Sequence, residues 1–256
     1  MNMLKGIFIT GTDTGVGKTF VTACLTAFLR EQKMNPIPYK PIQSGAIKTG
    51  QGLIAEDVEV YRKVLGFTDK QEKYCSYALE TPVSPHLAAK KEGRRISFEE
   101  IEGHFNALKS NHDFIVVEGA GGLGVPLIEE TDRIHLTGDL ILQLQLPILL
   151  VTHPGLGTIN HTLLSVSYAK SLGIPVLGLI VNQWPEHPTE MEKDNIQMME
   201  KLCQIPILGL IPAMPAPAEE YILTHWPKIR ESFDKEKLLE LLKEETKNER
   251  TTRTMG

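Results

Sequence analysis

The sequence predicts an α/β fold built on a doubly wound, mostly parallel sheet. Two observations lead to this prediction. Apolar stretches of strand length alternate along the chain with longer stretches of helical length, and most of the apolar stretches contain almost no polar residues. Strands that are covered by helices on both faces need this composition. In such folds ligands bind in the loops that follow the carboxyl ends of the strands.

Each element is assigned from its own residue pattern. Strands are predicted at Gly6–Thr10, Ile37–Lys40, Phe114–Glu118, Ile148–Thr152, Val176–Val181 and Ile207–Ile211. Helices are predicted at Lys18–Glu31, Ala55–Leu65, Ser84–Lys91, Phe98–Lys109, Asp132–Leu144, Thr158–Leu172, Met191–Leu202 and Phe233–Lys247.

The length and composition favour one domain. With 256 residues, of which 41% are hydrophobic, the chain can bury one substantial core. Residues 1–247 are therefore predicted to form a single domain. Residues 248–256 are polar and are predicted to form a flexible tail.

Charge and cysteine content argue against several classes of protein. A net charge of −5 disfavours nonspecific binding to nucleic acid or to membranes, because both need a basic surface. The three cysteines, Cys24, Cys75 and Cys203, are too widely spaced for a CxxC metal site, and their odd number does not suggest a disulfide framework. We find neither a signal-peptide pattern nor a long apolar run, and we expect a cytoplasmic protein.

The loop after the first predicted strand has the composition of a phosphate-binding loop. It runs from Gly11 to Thr19 and ends in Gly-Lys-Thr, where a helix is predicted to begin. Loop amides and the helix amino end bind phosphate, the lysine reaches the β- and γ-phosphates, and the threonine hydroxyl can bind Mg²⁺. Five residues separate Gly11 from Gly17 instead of the usual four. The pattern predicts nucleotide binding and a P-loop nucleoside triphosphate hydrolase fold, rather than a plain strand-to-helix turn.

Three polar residues follow later along the chain at the same predicted edge. Lys40 ends the second predicted strand, where it either neutralises a reacting group or is simply solvated. Asp57 lies near the start of a predicted helix, where an acid also stabilises the helix dipole. Glu118 ends a buried strand and precedes a glycine-rich turn. It is either a ligand of Mg²⁺, which we favour, or an acid bound by the amides of that turn.

A second potential anion site follows the fourth predicted strand. The segment from Gly155 to His161 is rich in glycine and opens a predicted helix, so its first amides are free to bind an anion. This segment lies far along the sequence from the phosphate-binding loop. His161 alone would be interpreted as a residue on the helix surface.

This combination of motifs resembles the dethiobiotin synthetase family. The matching segments run through most of the chain: Gly11–Thr19, Tyr39–Pro41, Thr81–His86, Glu118–Gly122, Thr158–His161 and Ile211–Pro212. The longer phosphate-binding loop is specific to this group. The resemblance implies an ATP-dependent ligase that makes dethiobiotin, ADP and phosphate from 7,8-diaminononanoate, CO₂ and MgATP. The reaction would pass through a carbamate and a carbamic-phosphoric anhydride.

The resemblance also implies roles for individual residues. Lys18 and Lys40 would act in catalysis, and Thr19, Asp57 and Glu118 would surround Mg²⁺. Thr14 and Ser44 would contact the diamine or its carbamate. Further nucleotide contacts would come from Gly15, Val16, Gly17, Phe20, Gly119, Ala120 and Gly121. Adenine would lie near Asn182, Gln183, Pro212, Ala213, Met214 and Glu219, although some relatives have an acid in place of Gln183.

A homodimer with a shared active site is a further implication of the resemblance. The carboxylate of the diamine would be held by backbone amides of the other subunit, at Gly157, Thr158, Ile159 and Asn160. The free amino end of a helix gives the physical reason for such a site.

Two other classes of protein remain as alternatives. A partitioning or septum-positioning ATPase would carry a second lysine early in the phosphate-binding loop, where this chain has Thr12 and Asp13. A cobyrinic acid amide synthase would need a glutaminase domain with a nucleophilic cysteine, and no cysteine here lies in such a sequence setting.

Overall fold

The computed structural model describes residues 4–50, 52–215 and 217–243. The strands in this part of the chain are β1 Gly6–Gly11, β2 Pro36–Ser44, β3 Ile47–Thr49, β4 Gly52–Ile54, β5 Cys75–Leu79, β6 Phe114–Glu118, β7 Pro126–Glu129, β8 Ile134–Leu136, β9 Ile148–Thr152, β10 Val176–Trp184 and β11 Ile207–Pro212. The helices are α1 Lys18–Glu31, α2 Glu56–Leu65, α3 Pro85–Lys91, α4 Phe98–Lys109, α5 Thr137–Leu144, α6 Thr158–Ser171, α7 Glu190–Cys203 and α8 Ala218–Arg230, with a short 3₁₀ turn at Gln71–Lys73 and a helical segment at residues 235–243.

Seven strands form one sheet at the centre of the fold. Their order is β11-β10-β9-β1-β6-β2-β5, and every neighbouring pair is parallel. Both faces of the sheet are covered. In β1, Phe8 packs into one apolar cluster, whereas Ile7 and Ile9 pack into another. The predicted doubly wound α/β fold is confirmed.

The strand order brings the predicted site residues to one edge of the sheet. β1, β6 and β2 are neighbours, so the loop after β1 emerges beside the ends of the other two strands. Ile9 of β1 pairs with Glu118 of β6, and Tyr39 of β2 pairs with Val117. Lys40 therefore emerges next to Glu118, although 77 residues lie between them in the sequence.

β2 contains three prolines, none of which could donate a backbone hydrogen bond to a neighbouring strand. Each lies where the neighbouring strand, β5 or β6, does not pair with β2 on the side that the proline nitrogen faces. The amide of Lys40 donates to the carbonyl of Tyr74, which precedes β5. The nitrogens of alternate residues in a strand point towards the same neighbour. Those of Pro36 and Pro38 therefore point to the same side as the nitrogen of Lys40, at positions before β5 begins. The nitrogen of Pro41 points to the other side, beyond Tyr39, which is the last residue of β2 that pairs with β6. The strand consequently continues to Ser44, whereas the sequence predicted its end at Lys40.

The other differences from the predicted elements also have local causes. The prediction of a helix at Asp132–Leu144 is wrong in its first turn: residues 134–136 form β8, which pairs with β7 in a hairpin. The helix begins at Thr137, where the carboxylate of Asp139 accepts a hydrogen bond from the amide of Leu136 at 2.7 Å. The sequence did not predict β5, a sheet-edge strand whose residues alternate between buried and half-buried.

The last part of the chain was predicted least well. α8 was not predicted because several prolines precede it and Pro227 lies within it. The helix bends at His225, two residues before this proline. The predicted helix at Phe233–Lys247 is present over residues 235–243, and its last four residues lie outside the described residues. The predicted tail at residues 248–256 lies outside them as well. In the described parts of the chain, no helix combines the length and apolar character needed to cross a bilayer.

Close packing beside the end of β6 gives a test of the fold. A Cβ atom on Gly119 would lie 2.6 Å from Cε1 of Phe8, whose ring is fully buried at the centre of the sheet. We expect Gly119→Ala to lower the free energy of unfolding by about 1–3 kcal/mol, because a close-packed ring has little room to move. Urea denaturation measures this difference.

Gly124→Ala is the matched control for this substitution. Gly124 lies in the loop that follows Gly119, and nothing lies within 4 Å of an added Cβ atom there. This variant should be at least as stable as the parent chain. Equal stability of the two variants would contradict the close packing of Gly119 against Phe8.

Candidate functional site

The loop between β1 and α1 adopts a compact conformation that depends on glycine. Gly15 and Gly17 have φ angles of 79° and 90°, in the left-handed region that favours glycine. A Cβ atom on Gly17 would also lie 2.0 Å from Nδ2 of Asn182. The ammonium of Lys18 donates a hydrogen bond to the carbonyl of Asp13 at 2.9 Å. Because no side chain caps α1 within the described residues, its first amides are free to bind an anion.

A charged cluster of four residues adjoins this loop: Thr19, Lys40, Asp57 and Glu118. The ammonium of Lys40 lies between the two carboxylates, 2.5 Å from Oδ2 of Asp57 and 2.6 Å from Oε1 of Glu118. The hydroxyl of Thr19 lies 2.9 Å from Oδ1 of Asp57 and 3.0 Å from Oε1 of Glu118. Lys40 and Glu118 are buried, so the ion pair is screened little by water.

Four different elements supply the charged cluster. Thr19 lies in the first turn of α1 and Asp57 in the first turn of α2, while Lys40 and Glu118 come from β2 and β6. Gln43 fixes the start of α2, since its Oε1 accepts a hydrogen bond from the amide of Asp57 at 3.2 Å. Parallel strand pairing and this helix start together bring the four side chains to one point.

The pKa values reflect a competition between burial and ion pairing. Burial alone would lower the pKa of Lys40, but Asp57 and Glu118 raise it above its ordinary value. Burial opposes ionisation of Asp57, yet Lys40 and Thr19 hold the pKa of its carboxyl below the usual value. Burial raises the pKa of Glu118 against the opposing effect of Lys40. Burial, aided by Lys40, lowers the pKa of Lys18 to about 8.

The charged cluster has the chemistry of an incomplete Mg²⁺ site. Within the described residues, no group of three or more His, Cys, Asp or Glu side chains is arranged to hold a metal ion. Two carboxylates and one hydroxyl are nevertheless suitable ligands, because Mg²⁺ in nucleotide sites takes its other ligands from phosphates and water. One ammonium faces two acids, so a cation would balance the remaining negative charge. The residues fit this ion.

A cavity of about 660 Å³ opens over the loop and the charged cluster. Many of the predicted site residues line it: Thr14, Gly15, Gly17, Lys18, Thr19, Phe20, Lys40, Ser44, Asp57, Glu118, Ala120 and Gly121. Val16 and Gly119 are buried beside it. The phosphate-binding loop and the acids predicted to hold the metal thus share one cavity.

Two of the residues predicted to hold adenine contact the phosphate-binding loop. Nδ2 of Asn182 donates to the carbonyl of Val16 at 2.9 Å, and Nε2 of Gln183 lies 3.4 Å from the carbonyl of Gly15. Pro212 pairs with Trp184, and the amide of Ala213 donates to the carbonyl of Trp184 at 2.9 Å. Met214 packs against the apolar cluster on the same side. Glu219, in the first turn of α8, is paired with Lys63 of α2 at 2.8 Å.

The predicted carboxylate site at the start of α6 lies apart from the cavity. Gly157 precedes the helix with a φ angle of 85°, and none of Gly157, Thr158, Ile159 and Asn160 lines the cavity. Two leucines near this segment are exposed to an unusual degree, Leu156 at 80% and Leu164 at 59%. Asn195 of α7 supports the segment, because its Nδ2 donates to the carbonyl of Pro154 at 2.8 Å.

Several residues of the site were not predicted from the sequence. Val83 and Val125 form apolar parts of the cavity wall, and Gln43 supports Asp57. Tyr61 donates a hydrogen bond from its hydroxyl to Oε2 of Glu118. Its position four residues after Asp57, on the same face of a predicted helix, was the signal that could have identified it.

Comparison with known proteins relates the chain to one family. A family model described as an AAA domain matches residues 5–220. The ATP-dependent dethiobiotin synthetase BioD of Anoxybacillus flavithermus is 46% identical over 211 residues, which cover 82% of this chain and 93% of that protein. The protein of the same name from Bacillus subtilis subsp. natto is 38% identical over 220 residues, covering 86% of this chain and 92% of that protein.

A solved structure supports the fold. The ParA family ATPase from Chlorobium tepidum TLS matches with a TM-score of 0.53, covering 91% of this chain and 96% of that chain, at 14% identity. At this identity the similarity concerns the fold alone. It confirms the predicted P-loop nucleoside triphosphate hydrolase fold.

The position of Lys40 between two acids predicts competition with a divalent cation. Lys40→Met removes the ammonium but keeps a side chain of similar length, leaving two carboxylates without their partner. Since an unpaired buried charge costs about 3–5 kcal/mol, we expect this variant, free of nucleotide, to bind Mn²⁺ at least about tenfold more tightly than the parent chain. Titration at pH 8, followed by the electron paramagnetic resonance of free Mn²⁺, measures the affinity.

Lys48→Met provides the control, because Lys48 is exposed and pairs with Glu80 outside the cavity. Its affinity for Mn²⁺ should equal that of the parent chain. Unchanged or weaker Mn²⁺ binding by Lys40→Met would show that the ammonium does not occupy the cation's position.

Proposed function

The chain belongs to the dethiobiotin synthetase family, and we propose that it is a ligase that forms dethiobiotin from 7,8-diaminononanoate, CO₂ and ATP. The other products are ADP and inorganic phosphate. One amine of the substrate takes up CO₂ as a carbamate, and a carbamate oxygen then accepts the γ-phosphoryl group of ATP. The second amine attacks the activated carbonyl, closes the ring and releases phosphate. The substrate itself provides each nucleophile, so the protein needs none.

One observation carries this proposal: a buried lysine held by two acids faces the same cavity as the phosphate-binding loop. The reaction brings carbamate, γ-phosphate and a developing phosphate leaving group together. Such a transition state is stabilised mainly by positioning and by fixed positive charge. The cavity offers two ammonium groups for this purpose, those of Lys18 and Lys40.

The two lysines have different tasks in this proposal. Lys18 bonds to the Asp13 carbonyl within the loop, and nucleotide phosphates would replace that carbonyl as its partner. Its pKa of about 8 would then rise, because a phosphate favours the charged form. Lys40 would turn from the carboxylates towards the carbamate and the γ-phosphate. While Lys40 is paired with both acids they keep its pKa high, so it is charged at neutral pH when the nucleotide arrives.

Thr19, Asp57 and Glu118 would hold Mg²⁺. When bound, this ion neutralises charge on the β- and γ-phosphates and orients them for transfer. The three residues contribute two carboxylates and a hydroxyl on one side of the cavity. Their short contacts to one another and to Lys40 keep them in position before the nucleotide arrives.

Substrate contacts follow from the remaining cavity wall. Thr14 and Ser44 offer hydroxyl groups to the diamine or its carbamate, and Val83 and Val125 offer apolar surface to its hydrocarbon chain. Nδ2 of Asn182 already donates to the phosphate-binding loop, and its Oδ1 could accept a hydrogen bond from the amino group of adenine. Gln183, Pro212, Ala213, Met214 and Glu219 would complete the base site.

A second subunit would complete the site in this proposal. The start of α6 lies outside the cavity of its own chain, and the exposed leucines beside it offer an apolar contact. Backbone amides of Gly157 to Asn160 would bind the substrate carboxylate in the partner's cavity. Residues 1–247 would then act as one synthetase domain in a cytoplasmic homodimer. The three cysteines, which form no disulfide, are compatible with reducing surroundings.

The two alternative functions have less support. The similarity to a ParA family ATPase concerns the fold, and Thr12 or Asp13 stands where a second lysine is expected. A glutaminase would need a reactive cysteine. Cys24 and Cys75 are buried, and burial raises the pKa of each thiol to about 12, which suppresses the thiolate.

A direct assay tests the proposed function. The protein is incubated with 7,8-diaminononanoate, labelled bicarbonate and MgATP, and acid-stable label is expected in dethiobiotin. Lys40→Gln should reduce turnover by about 10²-fold or more, as loss of one electrostatic stabiliser does, while ADP binding is largely retained. Lys48→Gln serves as the control for loss of a lysine. Absence of labelled dethiobiotin with the folded parent chain would overturn the proposal.

Subunit complementation tests the shared site. Asn160 is exposed in the first turn of α6, so Asn160→Asp adds a repelling charge without disturbing the core. This variant should raise the KM for the diamine by about tenfold or more and leave the KM for MgATP unchanged. Lys18→Ala should impair the phosphate-binding loop instead.

Mixed dimers of these two variants distinguish the possible arrangements. In a shared-site dimer, one site carries both defects and the other carries neither, so activity should approach half of the parent value per heterodimer. The mixture before subunit exchange is the control. If mass analysis shows exchange but activity at a diamine concentration near the parent KM does not rise above that of the unexchanged mixture, the start of α6 acts within its own subunit.

A further inference from the structure

Tyr61 makes a contact with the charged cluster that the roles assigned so far do not use. Its side chain comes from α2 and is fully buried, and its hydroxyl donates a hydrogen bond to Oε2 of Glu118. The other oxygen of that carboxylate, Oε1, faces Lys40 and Thr19. The two oxygens of Glu118 thus have separate partners on separate sides.

The arrangement fixes the rotation of a buried carboxylate. Glu118 is only 1% exposed, so water cannot replace a missing donor at Oε2. A carboxylate with one satisfied and one unsatisfied oxygen would turn to share the donors of Lys40 and Thr19 between both oxygens. With the Tyr61 hydroxyl present, Oε2 is satisfied and Oε1 stays directed at the cavity.

α2 links the two acids through this contact. Asp57 and Tyr61 are four residues apart and project from the same face of the helix. Asp57 is itself a member of the charged cluster, and Tyr61 holds Glu118 through Oε2, the oxygen that does not face Lys40. Any movement of α2 would therefore disturb both carboxylates together.

We propose that Tyr61 is a positioning residue that holds Glu118 in the orientation needed to bind the nucleotide-associated metal ion. The inference deepens the proposed function and rests on it for the identity of the reaction. Donors that orient a metal ligand from behind typically change metal affinity by about 10–100-fold when they are removed. Tyr61 does not touch the reacting atoms.

Tyr61→Phe tests the proposal, since it removes only the hydroxyl and keeps the ring in the core. The measurement uses the complex with ADP, which does not turn over. In this complex the Kd of Mn²⁺, measured by electron paramagnetic resonance, should be about 10–100-fold higher than for the parent chain. Activity should recover when Mg²⁺ is raised, and the KM for the diamine should stay within about threefold, because the hydroxyl does not line the cavity.

Tyr74→Phe is the matched control. Tyr74 is fully buried in the same apolar cluster, but its hydroxyl bonds to Asp69 instead of a member of the charged cluster. It should leave Mn²⁺ affinity unchanged, even if loss of its own hydrogen bond lowers the melting temperature. Mn²⁺ affinity of Tyr61→Phe within about twofold of the parent chain would overturn the proposal, whatever its stability.

A double-mutant cycle keeps the proposal testable in a second way. If Tyr61 acts through Glu118, adding Tyr61→Phe to Glu118→Gln should cause no further loss of Mn²⁺ affinity. Additive losses would mean that Tyr61 acts by another route. Failure of the parent chain to form dethiobiotin would overturn the proposed function but leave the Mn²⁺ result standing, so the two failures can be told apart.

Discussion

The ion pair of Lys40 with Asp57 and Glu118 is the interaction on which the site depends. A buried ammonium needs both acids, and each buried acid needs the ammonium, because desolvation penalises every one of these charges alone. The mutual requirement draws together β2, β6 and the start of α2. It also leaves one negative charge beside a phosphate-binding loop, where a metal ion can balance it.

The parallel sheet makes this ion pair possible. Three neighbouring strands end at one edge, so the loop after β1, the lysine of β2 and the glutamate of β6 meet although they are far apart in the sequence. β1 and β6 are buried, so their backbones have little freedom to move apart. Gly119 packs against the ring of Phe8 so closely that a Cβ atom at this position would overlap the ring. Rigid packing below the site thus supports precise charge placement above it.

Sequence patterns predicted those parts of the fold and site that depend on local composition. Apolar runs identified six of the seven sheet strands, and Gly-Lys-Thr identified the phosphate-binding loop. β5 was missed because an edge strand alternates in burial and lacks a continuous apolar run. α8 was missed because Pro227 argues against a helix that packing nevertheless stabilises. The residue pattern left the roles of Lys40 and Asp57 undecided, since a strand-end lysine and an acid at a helix start both have ordinary explanations, and only the family resemblance assigned them roles.

The sequence by itself determined the α/β class, the phosphate-binding loop and the resemblance to dethiobiotin synthetases, because each rests on short local patterns that can be recognised one segment at a time. Only the tertiary structure decided that Lys40 lies between Asp57 and Glu118, that Tyr61 supports Glu118 from behind, and that the start of α6 lies outside its own cavity. These facts depend on strand order and on the direction of α2. Neither is encoded in a local pattern, because both arise from the packing of distant segments around one core.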